Sequence, residues 1–191
     1  ENAKRIINKA EVVRQIGYVK WIEGKYYESI EFYLEALSLA NNEGNIKEQI
    51  NICIMLGNIY MDIDIHSMEK HYNKALLLSD FSRNNKFKYS IYYHMGVAYT
   101  TINFDKSEHF LLKALKFAYK DDHSSLEKLY QKLCFLYLNY GKKSETKEFY
   151  KKAKEINISK EVNELIQIMI DNENYIKSDL YLNKLEDIYN S

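Results

Sequence analysis

Four carboxamides, Asn51, Asn58, Gln131 and Asn139, sit inside otherwise apolar, helix-like runs. A carboxamide donates through its NH2 and accepts through its carbonyl, so one Asn can satisfy both groups of a peptide unit. A row of them can hold an extended chain without reading its sequence, while apolar neighbours such as Trp21, Ile54 and Phe135 supply pockets that do read it. Other chemistry is scarce. The histidines are His66, His71, His94, His109 and His123, and the five-residue step from His66 to His71 does not share one helix face. No HExxH, CxxC, GxGxxG or P-loop occurs, and no Ser–His–Asp or paired-carboxylate set follows from spacing. The chain is therefore expected not to be an enzyme, and to need neither cofactor nor metal. Cys53 and Cys134 lie in apolar runs, where a free thiol acts as a small buried hydrophobe.

Composition narrows the class. The chain has 191 residues, 46% of them hydrophobic, with 27 basic and 27 acidic side chains. Only Arg5, Arg14 and Arg83 are arginines. Phosphate affinity grows with clustered positive charge, so direct nucleic-acid contact is not expected. The run "GKKSETKEFYKKAKE" is locally basic but carries Glu145, Glu148 and Glu155, as a solvated helix face does. No apolar run is long enough to span a bilayer, and two distant thiols fit a reducing compartment, so a cytoplasmic location is expected. The absence of proline and the six glycines favour helix throughout.

What must position the carboxamides is a repeat. Ala36, Ala75, Ala114 and Ala153 follow one another at intervals of 39 residues. Around them lie Ser29 and Tyr33, Met68 and Tyr72, Ser107 and Leu111, and Thr146 and Tyr150, spaced for one helix face. An earlier helix in each unit carries a bulky, bulky, small, bulky pattern at i, i+3, i+4 and i+7. Its members are Val13, Ile16, Gly17 and Lys20, then Cys53, Leu56, Gly57 and Tyr60. Tyr92, Met95, Gly96 and Tyr99 follow, and then Tyr130, Leu133, Cys134 and Tyr137. The small residues let paired helices approach closely. Expected caps are Asp105 with Glu108, Asn45 with Glu48, and Ser124 with Glu127.

This pattern resembles the tetratricopeptide repeat, whose usual unit is about 34 residues long. The extra residues fall between units and predict longer first helices entered from capped loops. The resemblance implies an all-α, right-handed superhelix of about five helix-turn-helix repeats, near 10–40, 46–79, 86–119, 125–157 and 159–189, the last degenerate. It also implies that the first helices line a concave groove. Offsets from the small position then place Arg14, Tyr18 and Trp21 in the groove, followed by Asn51, Ile54, Asn58 and Met61. Tyr93, Val97 and Thr100 come from the third unit, and Gln131, Phe135, Leu138 and Asn139 from the fourth. Asn163 and Gln167 would belong to the fifth. The competing reading makes Trp21, Ile54 and Phe135 interhelix core and the amides ordinary surface.

Two families own grooves of this kind. A chaperone-binding clamp holds a peptide's terminal carboxylate, and Arg14 and Asn58 lie near matching positions, but the later cations are replaced by Tyr93 and His94. The chain also resembles the arrays of Gram-positive peptide-pheromone receptors in its long repeats, groove asparagines and degenerate final unit. That resemblance implies a signalling-peptide sensor within a cytoplasmic transcriptional regulator, with an output domain upstream of Glu1. The alternative is a non-sensing interaction scaffold or co-chaperone-like adaptor. The apolar surplus of the last unit, including Ile166, Met169 and Ile170, predicts a homodimer through the C-terminal repeat.

Overall fold

The computed structural model describes residues 8–82, 85–118 and 122–156, and among these every regular element is a helix. The order is α1 (Lys9–Ile22), α2 (Tyr26–Asn42), α3 (Ile46–Tyr60), α4 (Ile65–Ser82), α5 (Asn85–Tyr99), α6 (Phe104–Phe117), α7 (His123–Asn139) and α8 (Lys143–Glu155). The expected fifth repeat, with Asn163, Gln167 and the dimer surface, lies outside the described residues. The chain divides within α5 into two compact units, Glu1–Ala98 and Tyr99–Ser191.

In the first unit, α1 pairs with α2 and α3 with α4, while α2 and α1 both touch α3. The repeated small residues explain the pairing. A Cβ on Gly17 would stand 3.1 Å from the Tyr33 ring, and one on Gly57 only 2.7 Å from the Tyr72 ring. Each tyrosine of the second helix thus lies flat on a glycine of the first. Tyr33 and Tyr72 are buried, as are Ala36 and Ala75. Ser29 adds a hydrogen bond from its hydroxyl to the Gly17 carbonyl at 2.7 Å.

The second unit repeats this scheme with different chemistry. Here α6 touches α7 and α7 pairs with α8. Cys134 stands at the small position, and its thiol reaches the carbonyl of Thr146 at 3.7 Å, the counterpart of the Ser29–Gly17 contact. Leu111, Ala114, Thr146 and Ala153 are fully buried. Phe149 stacks on Tyr137 with ring centroids 5.5 Å apart, and Phe104 meets Tyr140 at 4.8 Å.

The helix ends differ in part from the sequence expectation. Asn45 does cap α3, accepting from the Glu48 amide at 3.1 Å. The cap of α6 is Asn103 rather than Asp105, and that of α7 is Asp122 rather than Ser124. In each case the true cap lies two residues earlier, and its side chain reaches the amide three positions on. The residues beyond the usual repeat length do not fall only in the first helices. Asn41 and Asn42 complete α2, so the α2–α3 turn is short. Three turns close on glycines in the left-handed region, Gly24 (φ 73), Gly44 (φ 63) and Gly141 (φ 70). The next amide bonds back over the helix end each time: Lys25 to Lys20, Asn45 to Ala40 and Lys142 to Tyr137.

Candidate functional site: the exposed faces of the first helices

On α1, Tyr18 and Trp21 are 41% and 40% exposed, and their rings lie 5.8 Å apart. Arg14, one turn earlier, is not free. Its Nε bonds to Oε1 of Glu48 on α3, with both side chains largely withdrawn from solvent. Asn51 donates to the other Glu48 oxygen at 3.5 Å. By its spacing from Asn45, Glu48 belongs to an expected capping box. Its amide serves there, but its carboxylate closes an Arg14–Glu48–Asn51 network across α1 and α3.

Its offset from Gly57 predicts Asn58 in the groove, facing away from α4. Instead it is half-buried, and its Oδ1 accepts from the hydroxyl of Tyr72 on α4 at 2.6 Å. That bond fixes the carboxamide and leaves its NH2 without a bond to another described residue. Met61 is half-buried one turn on, while Ile54 is buried and belongs to the hairpin interior. Tyr93 and Val97 on α5 are half-buried, and the Tyr93 ring lies 6.0 Å from that of Tyr89 and edge-on to His94.

The second unit carries the remaining candidates on α7. Phe135 and Leu138 are buried, and Asn139 is half-buried. Gln131 is only 2% exposed. Its Nε2 donates to Glu127 at 3.1 Å, and its Oε1 has no hydrogen-bond partner. The side chains open to solvent at the candidate positions are therefore Tyr18 and Trp21, with Asn51, Asn58, Met61, Tyr93, Val97, Thr100 and Asn139 partly so, and Arg14 partly so but engaged by Glu48.

Burial holds four groups, Cys53, Cys134, His71 and His94, in their neutral forms at neutral pH. Burial pushes the thiols of Cys53 and Cys134 up to about 11 and about 12, so neither is a nucleophile at neutral pH. His71 stacks on Tyr60 at 5.5 Å and its Nδ1 has no partner. Burial first, then Lys70 and Lys74, lower its pKa to about 4. Burial alone lowers that of His94 to about 4. No group of three or more His, Cys, Asp or Glu side chains that could hold a metal ion occurs among the described residues. No helix among them is long and apolar enough to cross a membrane.

No family model and no curated protein matches the chain. Among solved structures it is similar to BtubC (BKLC) from P. vanneervenii, with a TM-score of 0.67 and 19% identity, over 77% of this chain and 62% of that one. The chain thus spans about three fifths of that protein, and at this identity the likeness is one of fold, an α-helical repeat.

Proposed function

We propose that the chain is a tetratricopeptide-type array that binds a short peptide, or an extended segment of a protein, on the surface of its first helices. The observation that carries this reading is a pair of features on α1 and α3, helices that touch. Tyr18 and Trp21 hold their rings open to solvent, and Asn58, one period further on, presents an NH2 fixed in place by the Tyr72 hydroxyl. Exposed aromatic area on one helix and a pre-oriented donor on its neighbour suit a peptide: the donor takes a backbone carbonyl and the rings cover an apolar side chain. Because the Asn58 carbonyl is engaged, this residue acts mainly as a donor.

The arrangement favours backbone recognition over a terminal-carboxylate clamp. A clamp needs a free cation, and Arg14 is neutralised by Glu48. By the resemblance to pheromone receptors, the bound peptide is a signal, the setting is a cytoplasmic bacterial transcriptional regulator, and homodimerisation or an attached domain carries the output. The second reading is a non-sensing scaffold or adaptor.

The test is a titration of labelled short peptides, selected from a library, against the parent and Asn58→Ala. Affinity falls roughly 5- to 150-fold, the equivalent of about 1–3 kcal/mol. A urea melt run in parallel separates this from the loss of the Tyr72 bond, worth about 1 kcal/mol of stability. Amidating the peptide's C-terminus leaves binding intact. If Asn58→Ala binds as tightly as the parent, the assignment is wrong. If amidation abolishes binding, the carboxylate clamp is right instead.

A further inference from the structure

The first helices share a second set of apolar positions, five and one residues before the small position and two after it. In α3 these are Ile52, Leu56 and Ile59, and in α7 Leu129, Leu133 and Leu136, none more than 5% exposed. The helix that precedes each one packs against it, α2 on α3 and α6 on α7. In α1 the same positions hold Val12, Ile16 and Val19, still apolar and β-branched, yet 46%, 40% and 50% exposed. They recur at i, i+4 and i+7 and form one stripe. At about 100° per residue, the stripe lies on the opposite side of α1 from Tyr18 and Trp21. It is therefore separate from the peptide surface.

We propose that the Val12–Ile16–Val19 face is a docking site for an amphipathic helix of a partner protein, seated on α1 as α2 is seated on α3. The face holds, one repeat period earlier, the positions that are buried in α3, a helix packed against α2, and the same apolar character recurs on it. The partner helix presents apolar side chains at i, i+3 or i+4, and i+7 toward the stripe. A second copy of the chain is the poorer occupant. Its α2, α4 and α8 are each committed to a hairpin, and its α6 is committed to α7. Supplying any of them would mean opening the fold.

The probe is a synthetic peptide with the α2 sequence YYESIEFYLEALSLANN, capped at both ends and labelled, titrated against the full chain by anisotropy. A scrambled peptide of the same composition serves as control. The α2 peptide binds and the scrambled one does not, and Ile16→Lys or Val19→Lys each weakens binding by more than about tenfold. Both positions are exposed, so far-UV circular dichroism and melting temperature stay at parental values in these variants. Trp21→Ala leaves this binding unchanged, which separates the stripe from the peptide surface. Absence of binding at peptide concentrations up to about 1 mM, well above a specific Kd, overturns the proposal, as does binding that survives Ile16→Lys. Concentration-dependent self-association of the chain that Ile16→Lys abolishes would also overturn it, because the occupant is then a second copy.

Discussion

Gly57→Ala is the sharpest perturbation of the repeat. The added methyl would stand 2.7, 2.8 and 2.9 Å from Cε1, Cζ and Cδ1 of Tyr72, where comfortable carbon contacts begin near 3.5 Å. The ring has nowhere to go: Tyr72 is fully buried and its hydroxyl is tied to Asn58. Overpacking of this kind costs about 1–3 kcal/mol, and three ring atoms under 3 Å put the expected value at the top of that range. Replacing a helical glycine returns about 1 kcal/mol through backbone entropy. The net loss is therefore about 2 kcal/mol, which lowers a urea midpoint by about 1 M if m is about 2 kcal/mol/M. Gly17→Ala is the internal control. Its methyl would meet the Tyr33 ring at 3.1 Å, close enough to need only a few tenths of an ångström of movement. The two terms then nearly cancel. Adding Tyr72→Leu to Gly57→Ala opens space, so the double variant is more stable than the sum of the singles predicts, by at least about 0.5 kcal/mol. The assay is urea unfolding followed by far-UV circular dichroism. A Gly57→Ala midpoint equal to or above the parent's would refute the close-approach argument.

Acid destabilises the fold through two histidines. His71 and His94 have folded pKa values of about 4 against 6.5 for the free side chain, so between these pH values the unfolded chain binds more protons than the folded one. Stability therefore falls as pH drops from about 6.5 to about 4, by up to about 3 kcal/mol per histidine, and His71→Phe removes part of that slope. A urea midpoint that is flat over this range, or unaltered in slope by His71→Phe, would contradict the assignment. Arg14→Met strands the Glu48 carboxylate and costs about 3 kcal/mol, whereas Arg14→Met combined with Glu48→Leu returns close to the parent. Equal stability of Arg14→Met and parent would show that the pair does not matter to the α1–α3 junction.

Much of the helical repeat was legible because close packing leaves a periodic signature. Ala36, Ala75, Ala114 and Ala153 announce the spacing, and all four are fully buried. Turn chemistry was less legible. Asp105 and Ser124 satisfy the capping pattern, but Asn103 and Asp122 sit at the residue just before the first helical turn, and local sequence does not distinguish the two. The glycines at 24, 44 and 141 were usable signals for helix ends, since each occupies a left-handed cap. At the candidate site, offsets from the small position locate a residue on a helix but not its hydrogen-bond partner. The Tyr72 bond that turns Asn58, and the Arg14–Glu48 pair that links helices 34 residues apart in sequence, arise from tertiary contacts that no local pattern encodes.

The most direct measurement uses the chain's single tryptophan. Trp21 is 40% exposed on α1, so its emission reports on solvent at the proposed peptide surface. Titration with a library-selected peptide, whose binding is established independently by calorimetry, should shift Trp21 emission to shorter wavelength and saturate with the calorimetric Kd. Acrylamide quenching should fall in parallel. A peptide that binds by calorimetry while Trp21 emission and quenching stay unchanged would contradict the claim that the exposed face of α1 is where the ligand sits.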